Sequence, residues 1–298
     1  MSIDVPSFLK DRARVVDEAL ERLLPSESEP PETLHRAMRY SVFAGGKRLR
    51  PVLVIAGAEA VGGRAEDVLP TACAMECIHT YSLIHDDLPA MDDDDYRRGQ
   101  LTNHKVFGEA MAILAGDGLL TLAFRLIADN FAAAAASAAA LREVLVDVAD
   151  GAGTRGMVGG QAVDIESEGK VVSPATLDYI HVHKTAALIR TSLRVGAVIV
   201  GASADQVRTL SAAGSSLGLA FQIVDDLLDV ESTSEQLGKT AGKDQAQQKA
   251  TYPAIHGLEA SRTRARDLIA AAERSLAELG PRAEPLRALA RFIFERKA

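Results

Sequence analysis

Tryptophan is absent, aromatic residues make up 4% of the 298 positions, and cysteine occurs only twice. The aromatic shortage leaves the core to aliphatic side chains, chiefly alanine and leucine. Cys73 and Cys77 lie four apart on one predicted helix, which is neither a zinc spacing nor a disulfide pattern. Two reduced, half-buried thiols in a cytosolic protein are expected. Positive charge is also short: the formal net charge is −8, which argues against the broad basic surface of a nucleic-acid binder. Phosphate ligands would have to be held by local Arg and Lys groups or through metal ions. Met1 to Lys10 has no apolar signal core, and Phe131 to Leu141 is too short and too weakly apolar to span a bilayer. A cytoplasmic protein without a membrane span is the expectation.

Two-residue alternation is rare and no long linker divides the chain, so one all-α domain covering 1–298 is expected. Hydrophobic content of 47% allows a large core. Asp4 to Leu24 has an apolar stripe, and Thr33 to Ala44 is a second helix stopped by Gly45-Gly46. Lys47-Arg48-Leu49-Arg50-Pro51 is a cationic loop opening the next helix, with proline suited to its first turn. Glu66 to about Asp87 follows, ended by Pro89. Further helical runs cover Glu109 to Asn130, Ala138 to Ala162, Pro174 to Val200, Ala204 to Val230, Thr251 to Leu279 and Pro281 to Ala298. Glu231 to Gln248 is polar and is expected to be a loop.

Against this apolar background two acidic groups stand out. Asp86 to Asp95 holds six carboxylates in ten residues, an arrangement that gains nothing unless cations sit between the charges. On an unbroken helix Asp86 and Asp92 would be about 120° apart, but the break at Pro89 lets a loop swing Asp92 back toward Asp86. The second group is Asp225-Asp226-Leu227-Leu228-Asp229, where Asp225 and Asp229 project together at i and i+4. Its neighbours are nearly all apolar, so a solvated face fits poorly. Oxygen-only donors favour Mg²⁺, which typically joins a few carboxylates to substrate phosphates. An EF-hand calcium loop is the rival, but its glycine and its twelfth-position glutamate are missing.

The run from Cys77 through His79, Tyr81, Ser82 and His85 into Asp86-Asp87, closing on Arg97-Arg98-Gly99, resembles the first aspartate-rich motif of the trans-isoprenyl diphosphate synthases. Asp225 to Asp229 resembles their second. Gly45 to Pro51, Gly160-Gln161, Lys184-Thr185, Phe221-Gln222 and Leu237-Gly238-Lys239 match further motifs in the family's order, so the likeness covers essentially the whole chain. It is strongest to the bacterial branch that makes farnesyl diphosphate, whose first motif also carries two extra residues, here Pro89-Ala90. Tyr96 departs from the aliphatic residue more usual inside that motif.

The resemblance implies a bundle of about ten or more helices around a central apolar cavity, homodimeric, joining isoprenoid diphosphates with three Mg²⁺ ions when substrate is bound. Asp86 and Asp92 would hold two ions and Asp225 the third, with Asp87, Asp226 and Asp229 orienting ligands. Arg97, Lys184 and Lys239 would grip the allylic diphosphate; Lys47, Arg50, His79 and Arg98 would form the metal-free pocket for isopentenyl diphosphate. Lys243 and Lys249 would add to a loop closing over the phosphates. The carbonyls of Lys184 and Thr185 and the amide oxygen of Gln222 would face the allylic cation, which requires a kink in the Pro174 to Val200 helix. His181 and His183 are expected at the surface, and no side-chain general base is assigned. Ser82 lies one turn, about 5.4 Å, below Asp86, so Tyr81 and Ser82 would floor the tunnel and set a C15 product. A geranylgeranyl or geranyl diphosphate synthase of the same family is the runner-up. A terpene cyclase fits less well, because the basic residues imply two diphosphates. A non-catalytic diphosphate-binding partner is the alternative of another class.

Overall fold

The computed structural model describes residues 3–134, 136–231 and 251–295, and within them the chain is almost wholly helical. Lys239, Lys243 and Lys249, with nearly all of the anticipated 231–248 loop, lie outside the described residues. Helix α1 (Val5–Leu23) begins on Pro6 and buries Val16, Ala19 and Leu20 along one stripe. Helix α2 (Glu32–Val42) leads into Gly45 and Gly46, whose φ angles of 88° and 125° take the chain through a tight turn that side chains disfavour. Helices α3 (Leu49–Ala60) and α4 (Ala65–Asp86) are apolar nearly all round and correspondingly buried.

After α4 come a short hairpin, β1 (Tyr96–Arg97) with β2 (Gln100–Leu101), and helices α5 (Asn103–Phe107) and α6 (Glu109–Ala134). The hairpin and α5 were not anticipated. They are too short for a periodic signal. Helix α6 packs along α4. Its stretch Glu109–Ala132 is long and apolar enough to cross a membrane by length and composition, although 39% of that window is buried inside the protein.

The expected single helix over 138–162 is two: α7 (Ala138–Ala152), capped by Gly153, and α8 (Met157–Ser167). Gly153 and Gly156 form the turn, where an added Cβ would strike backbone oxygens. Apolar periodicity on both sides hid the break. The 174–200 helix is interrupted as expected, by a π turn at His181–Ala186 between α9 (Pro174–Ile180) and α10 (Ala187–Ile199). Helix α11 (Ala204–Glu231) carries the second acidic group. The expected 251–279 helix is split by Gly257, φ 81°, into α12 (Tyr252–His256) and α13 (Leu258–Ala277). A 3₁₀ turn (Gly280–Ala283) precedes α14 (Glu284–Glu295).

Helices α3, α4, α10 and α11 form the interior, with α6 and α13 packed outside them. Cys73 and Cys77 are fully buried in this core, not half-buried as the sequence suggested. Burial pushes the Cys73 thiol up to about 12 and Cys77 higher still, which keeps both protonated and inert. Helices α3 and α10 cross in backbone contact: a Cβ on Gly57 would sit 2.3 Å from the Leu193 carbonyl oxygen, and one on Gly196 2.0 Å from that of Val54. Neither neighbour is a side-chain end that can rotate away. Gly196→Ala is expected to destabilise the fold by about 1–3 kcal/mol through overpacking, read as a lower urea midpoint with an unchanged slope.

Candidate active site

Two cavities meet at Arg50 and His79, which line both. The first, about 670 Å³, is walled by Lys47, Arg48, Arg98 and Glu76, with Phe221, Asp225 and Phe292 opposite. The second, about 580 Å³, is mostly apolar and runs from Asp86, Lys184 and Thr185 past Tyr81 and Ser82 to Ile113, Met157, Val158 and Ile165. A polar mouth with a greasy body is the form of a site for an amphiphilic ligand.

The first cavity is short of negative charge. Arg50 is pulled down to about 10 by burial, with Arg98 adding to the effect, and its Nε has no partner. His79 is held well below the usual histidine range by burial and by Arg50, and its Nδ1 is also unpartnered. Cations destabilised by burial and by one another favour an incoming anion. Arg98 donates to the Gly45 carbonyl, and Lys47 is exposed at the rim.

Two residues that sequence reasoning passed over hold this wall in place. Arg48, in the left-handed region at φ 48°, is buried and donates to Asp17 and Glu76 at 2.8 Å each and to the Val42 carbonyl at 2.7 Å. Glu76 is 1% exposed, and its Oε2 has no partner. A glutamate inside the apolar run of α4 was the signal that could have found it.

On the acidic side, the loop after α4 folds back as expected. The Asp92 amide donates to the Asp86 carbonyl at 2.8 Å, and that of Asp94 to Asp87 at 3.2 Å. Burial pushes the Asp86 carboxyl up to about 6, partly countered by Lys184 and reinforced by Asp92. Asp87 points elsewhere. It is 3% exposed and takes both oxygens to the Arg97 guanidinium, at 2.5–2.9 Å. Arg97 therefore lines neither cavity but fastens the hairpin to the end of α4. Asp86 and Asp92, and Asp225 on the wall of the other cavity, offer only carboxylate oxygens, and burial makes the charge of Asp86 unfavourable until a cation approaches, a donor chemistry that fits Mg²⁺. Nearby, Asp93, Asp95 and His104 bring potential ligand atoms within 4.8 Å of one another, but Lys105 already pairs with Asp95 at 2.7 Å.

Lys184 and Thr185 lie in the π turn and line the apolar cavity. Such a turn shifts the bonding from i+4 to i+5 and recurs at functional positions. Helix α8 approaches it so closely that a Cβ on Gly160 would sit 2.2 Å from the Lys184 amide nitrogen. Lys184 Nζ is held by Asp164 at 2.6 Å. Gln161, quoted in the sequence only within a motif, lines the same cavity with both amide atoms buried and unpartnered. Gln222 lies behind Thr185: its Oε1 accepts from the Thr185 hydroxyl at 2.8 Å and its Nε2 donates to Asp226 at 3.0 Å. His183 is partly covered, stacked on Tyr179 at 3.8 Å. His181 corrects the expectation of a surface residue. It is 5% exposed, stacks on Tyr252 at 5.9 Å and stands 3.4 Å from Asp226. The i+5 register turns it inward, an effect that helical spacing does not reveal. Burial pushes its imidazole down to about 4, so the ring is neutral.

Tyr81 is buried with its ring edge-on to His85, and the Ser82 hydroxyl donates to the His79 carbonyl at 2.8 Å. Ile113, Val158 and Ile165 line the apolar cavity and are 38–44% exposed.

The polyprenyl synthetase family model matches residues 31–280. The chain is 50% identical to the farnesyl diphosphate synthase of Geobacillus stearothermophilus over 274 residues, 92% of each chain. It is 47% identical over 300 residues to the heterodimeric geranylgeranyl pyrophosphate synthase large subunit 1, chloroplastic, of Arabidopsis thaliana, covering 99% of this chain and 80% of that one. Among solved structures, the geranylgeranyl pyrophosphate synthetase of Pyrococcus horikoshii Ot3 superposes with a TM-score of 0.90 at 32% identity, over 99% of both chains.

Asp86 gives a pH signature. Its unfolded carboxyl titrates near 3.9 and its folded one at about 6, so between these values the native state holds a proton that the unfolded chain has lost. The stability that Asp86 contributes is therefore lost as pH rises from about 4 to 6 and stays absent above. In metal-free buffer Asp86→Asn is expected to stabilise the fold by on the order of 2 kcal/mol above pH 6 and by little below pH 4; urea denaturation across that range measures it.

Proposed function

The chain belongs to the polyprenyl synthetase family, and from that premise we propose that it joins dimethylallyl and then geranyl diphosphate to isopentenyl diphosphate, head to tail with trans geometry, to give (2E,6E)-farnesyl diphosphate. The chain is a prenyltransferase, and its family uses Mg²⁺ through aspartate-rich motifs. The observation that carries the substrate reading is the pairing of two cavities across Arg50 and His79. One is cationic and faces no aspartate-rich ledge of its own apart from Asp225; the other is apolar beneath Asp86.

In this reading isopentenyl diphosphate sits on Lys47, Arg50, His79 and Arg98, and the allylic tail fills the apolar cavity. Bound at Asp86, Asp92 and Asp225, Mg²⁺ supplies Lewis-acid screening of the departing diphosphate, worth several kcal/mol. The allylic C–O bond breaks with its electron pair leaving on diphosphate, and the isopentenyl double bond captures the allylic carbon. The new cation then loses a proton to the departed diphosphate, since no side-chain base is assigned. Lys184 and Thr185 turn backbone carbonyl dipoles toward the positive carbon, with the Gln222 amide oxygen beside them. Such fixed dipoles stabilise charge without reorganising. Arg97 acts through its hold on Asp87, or turns to the diphosphate once that pair opens.

Tyr81 and Ser82 are taken as the floor for a C15 product because both line the apolar cavity, with Ser82 one helical turn from Asp86. A geranylgeranyl product is the second reading, favoured by the likeness to synthases of that name. The exposed apolar side chains of α6 and its neighbours, Ile113, Leu114, Phe124 and Val146 among them, support a homodimer built on this face.

Product analysis by mass spectrometry after incubation with dimethylallyl and isopentenyl diphosphates is expected to show mainly farnesyl diphosphate, with turnover abolished by EDTA and restored by Mg²⁺. A C20 product would favour the second reading, and undiminished turnover without divalent metal would remove the mechanism. Ser82→Phe is expected to shorten the product and Tyr81→Ala to lengthen it; unchanged spectra in both would dismiss the floor. Light scattering on the eluting protein is expected to give twice the chain mass.

A further inference from the structure

Asp226 stands beside the Asp225 position but turns away from it. Its side chain is 5% exposed and accepts hydrogen bonds from Gln222 and Tyr252 in the protein's interior, with His181 close by. Gln222 Nε2 donates to Oδ1 at 3.0 Å and the Tyr252 backbone amide to Oδ2 at 2.8 Å; the neutral His181 ring places Nε2 3.4 Å from Oδ2. A buried carboxylate accepts only, so whichever end of the Gln222 amide faces it must be the NH₂. The carbonyl end is thereby turned to Thr185, whose hydroxyl donates to it at 2.8 Å. Thr185 in turn lines the apolar cavity. An amide that could rotate would present NH₂ to the cavity half the time, a positive edge where a cation forms.

We propose that Asp226 is a positioning residue that acts through Gln222: it fixes the amide with its oxygen toward Thr185 and the reacting end of the apolar cavity, and the Tyr252 amide and His181 keep the carboxylate itself from turning. The role is distinct from holding a metal. It also ties the start of α12 to the π turn, since His181 and Tyr252 stack on one another and both reach the same carboxylate.

This inference rests on the prenyl-transfer reading, and a hydrogen-bond exchange tests it separately. In Asp226→Asn the new Oδ1 can still accept from Tyr252, but Nδ2 repels the Gln222 NH₂ and draws the amide round. In the double variant D226N/Q222E the introduced Nδ2 donates to one oxygen of the introduced carboxylate. The other oxygen of that carboxylate faces Thr185, and the total charge is unchanged. The expected result is that D226N lowers kcat roughly 10- to 100-fold, the scale of a misoriented catalytic dipole. Its Mg²⁺ activation midpoint and KM for both diphosphates stay within about twofold, and D226N/Q222E regains about tenfold over D226N.

An unchanged kcat in D226N, a loss that excess Mg²⁺ restores, or a double variant no faster than D226N overturns the proposal. Should D226N fail to fold by circular dichroism, the double variant is compared with Q222E alone, in which two carboxylates face each other. A faster double variant supports the exchange, and an equal or slower one refutes it. If the unaltered protein makes no prenyl product at all, the prenyl-transfer reading has failed rather than this one.

Discussion

Carboxylates brought together in a half-dry cleft repel one another, and this site is arranged around that repulsion. Each acidic residue that has a nearby cation of its own is taken out of play. Arg97 closes on Asp87, Lys184 on Asp164, and Arg48 on Glu76. Asp86 keeps no such direct partner among these pairs, and burial drives its carboxyl toward the protonated form. Across the shared wall the opposite imbalance holds, with Arg50 and His79 both pushed toward neutrality. Complementary frustrations of this kind are relieved together by a ligand that brings cations to one side and anionic oxygens to the other.

The helical scaffold serves to keep these imbalances from relaxing. Backbone-to-backbone contact of α3 with α10, and of α8 with the π turn, fixes the distance between the basic loop, the acidic loop and the carbonyls of Lys184 and Thr185. A π turn in a freely sliding helix would anneal; here Gly160 lies directly against it. The fold thus holds unfavourable charge in a geometry that side-chain motion alone cannot undo.

Much of this was legible in the chain. Apolar periodicity gave the helical class, and the clustering of like charges pointed to the two acidic groups. Pro89 explained how Asp92 returns to Asp86, which the bond between their backbones bears out. What stayed hidden depends on tertiary pairing. Nothing local distinguishes Asp87, which faces Arg97, from Asp86, which faces the cleft, because a one-residue step in the last turn of α4 separates them. His181 looked like a surface histidine because the i+5 register of its turn cannot be read from spacing. Glu76 and Arg48 are twenty-eight positions apart, too far for any sequence pattern to join. The glycine breaks at 153–156 and 257 were masked by apolar residues that continue smoothly on both sides.

Ile113, Val158 and Ile165 line the apolar cavity and keep more than a third of their surface exposed. Apolar lining and contact with water therefore coincide at that place. A contact made on these side chains from outside would act on the shape of the cavity directly, because the same residues serve both.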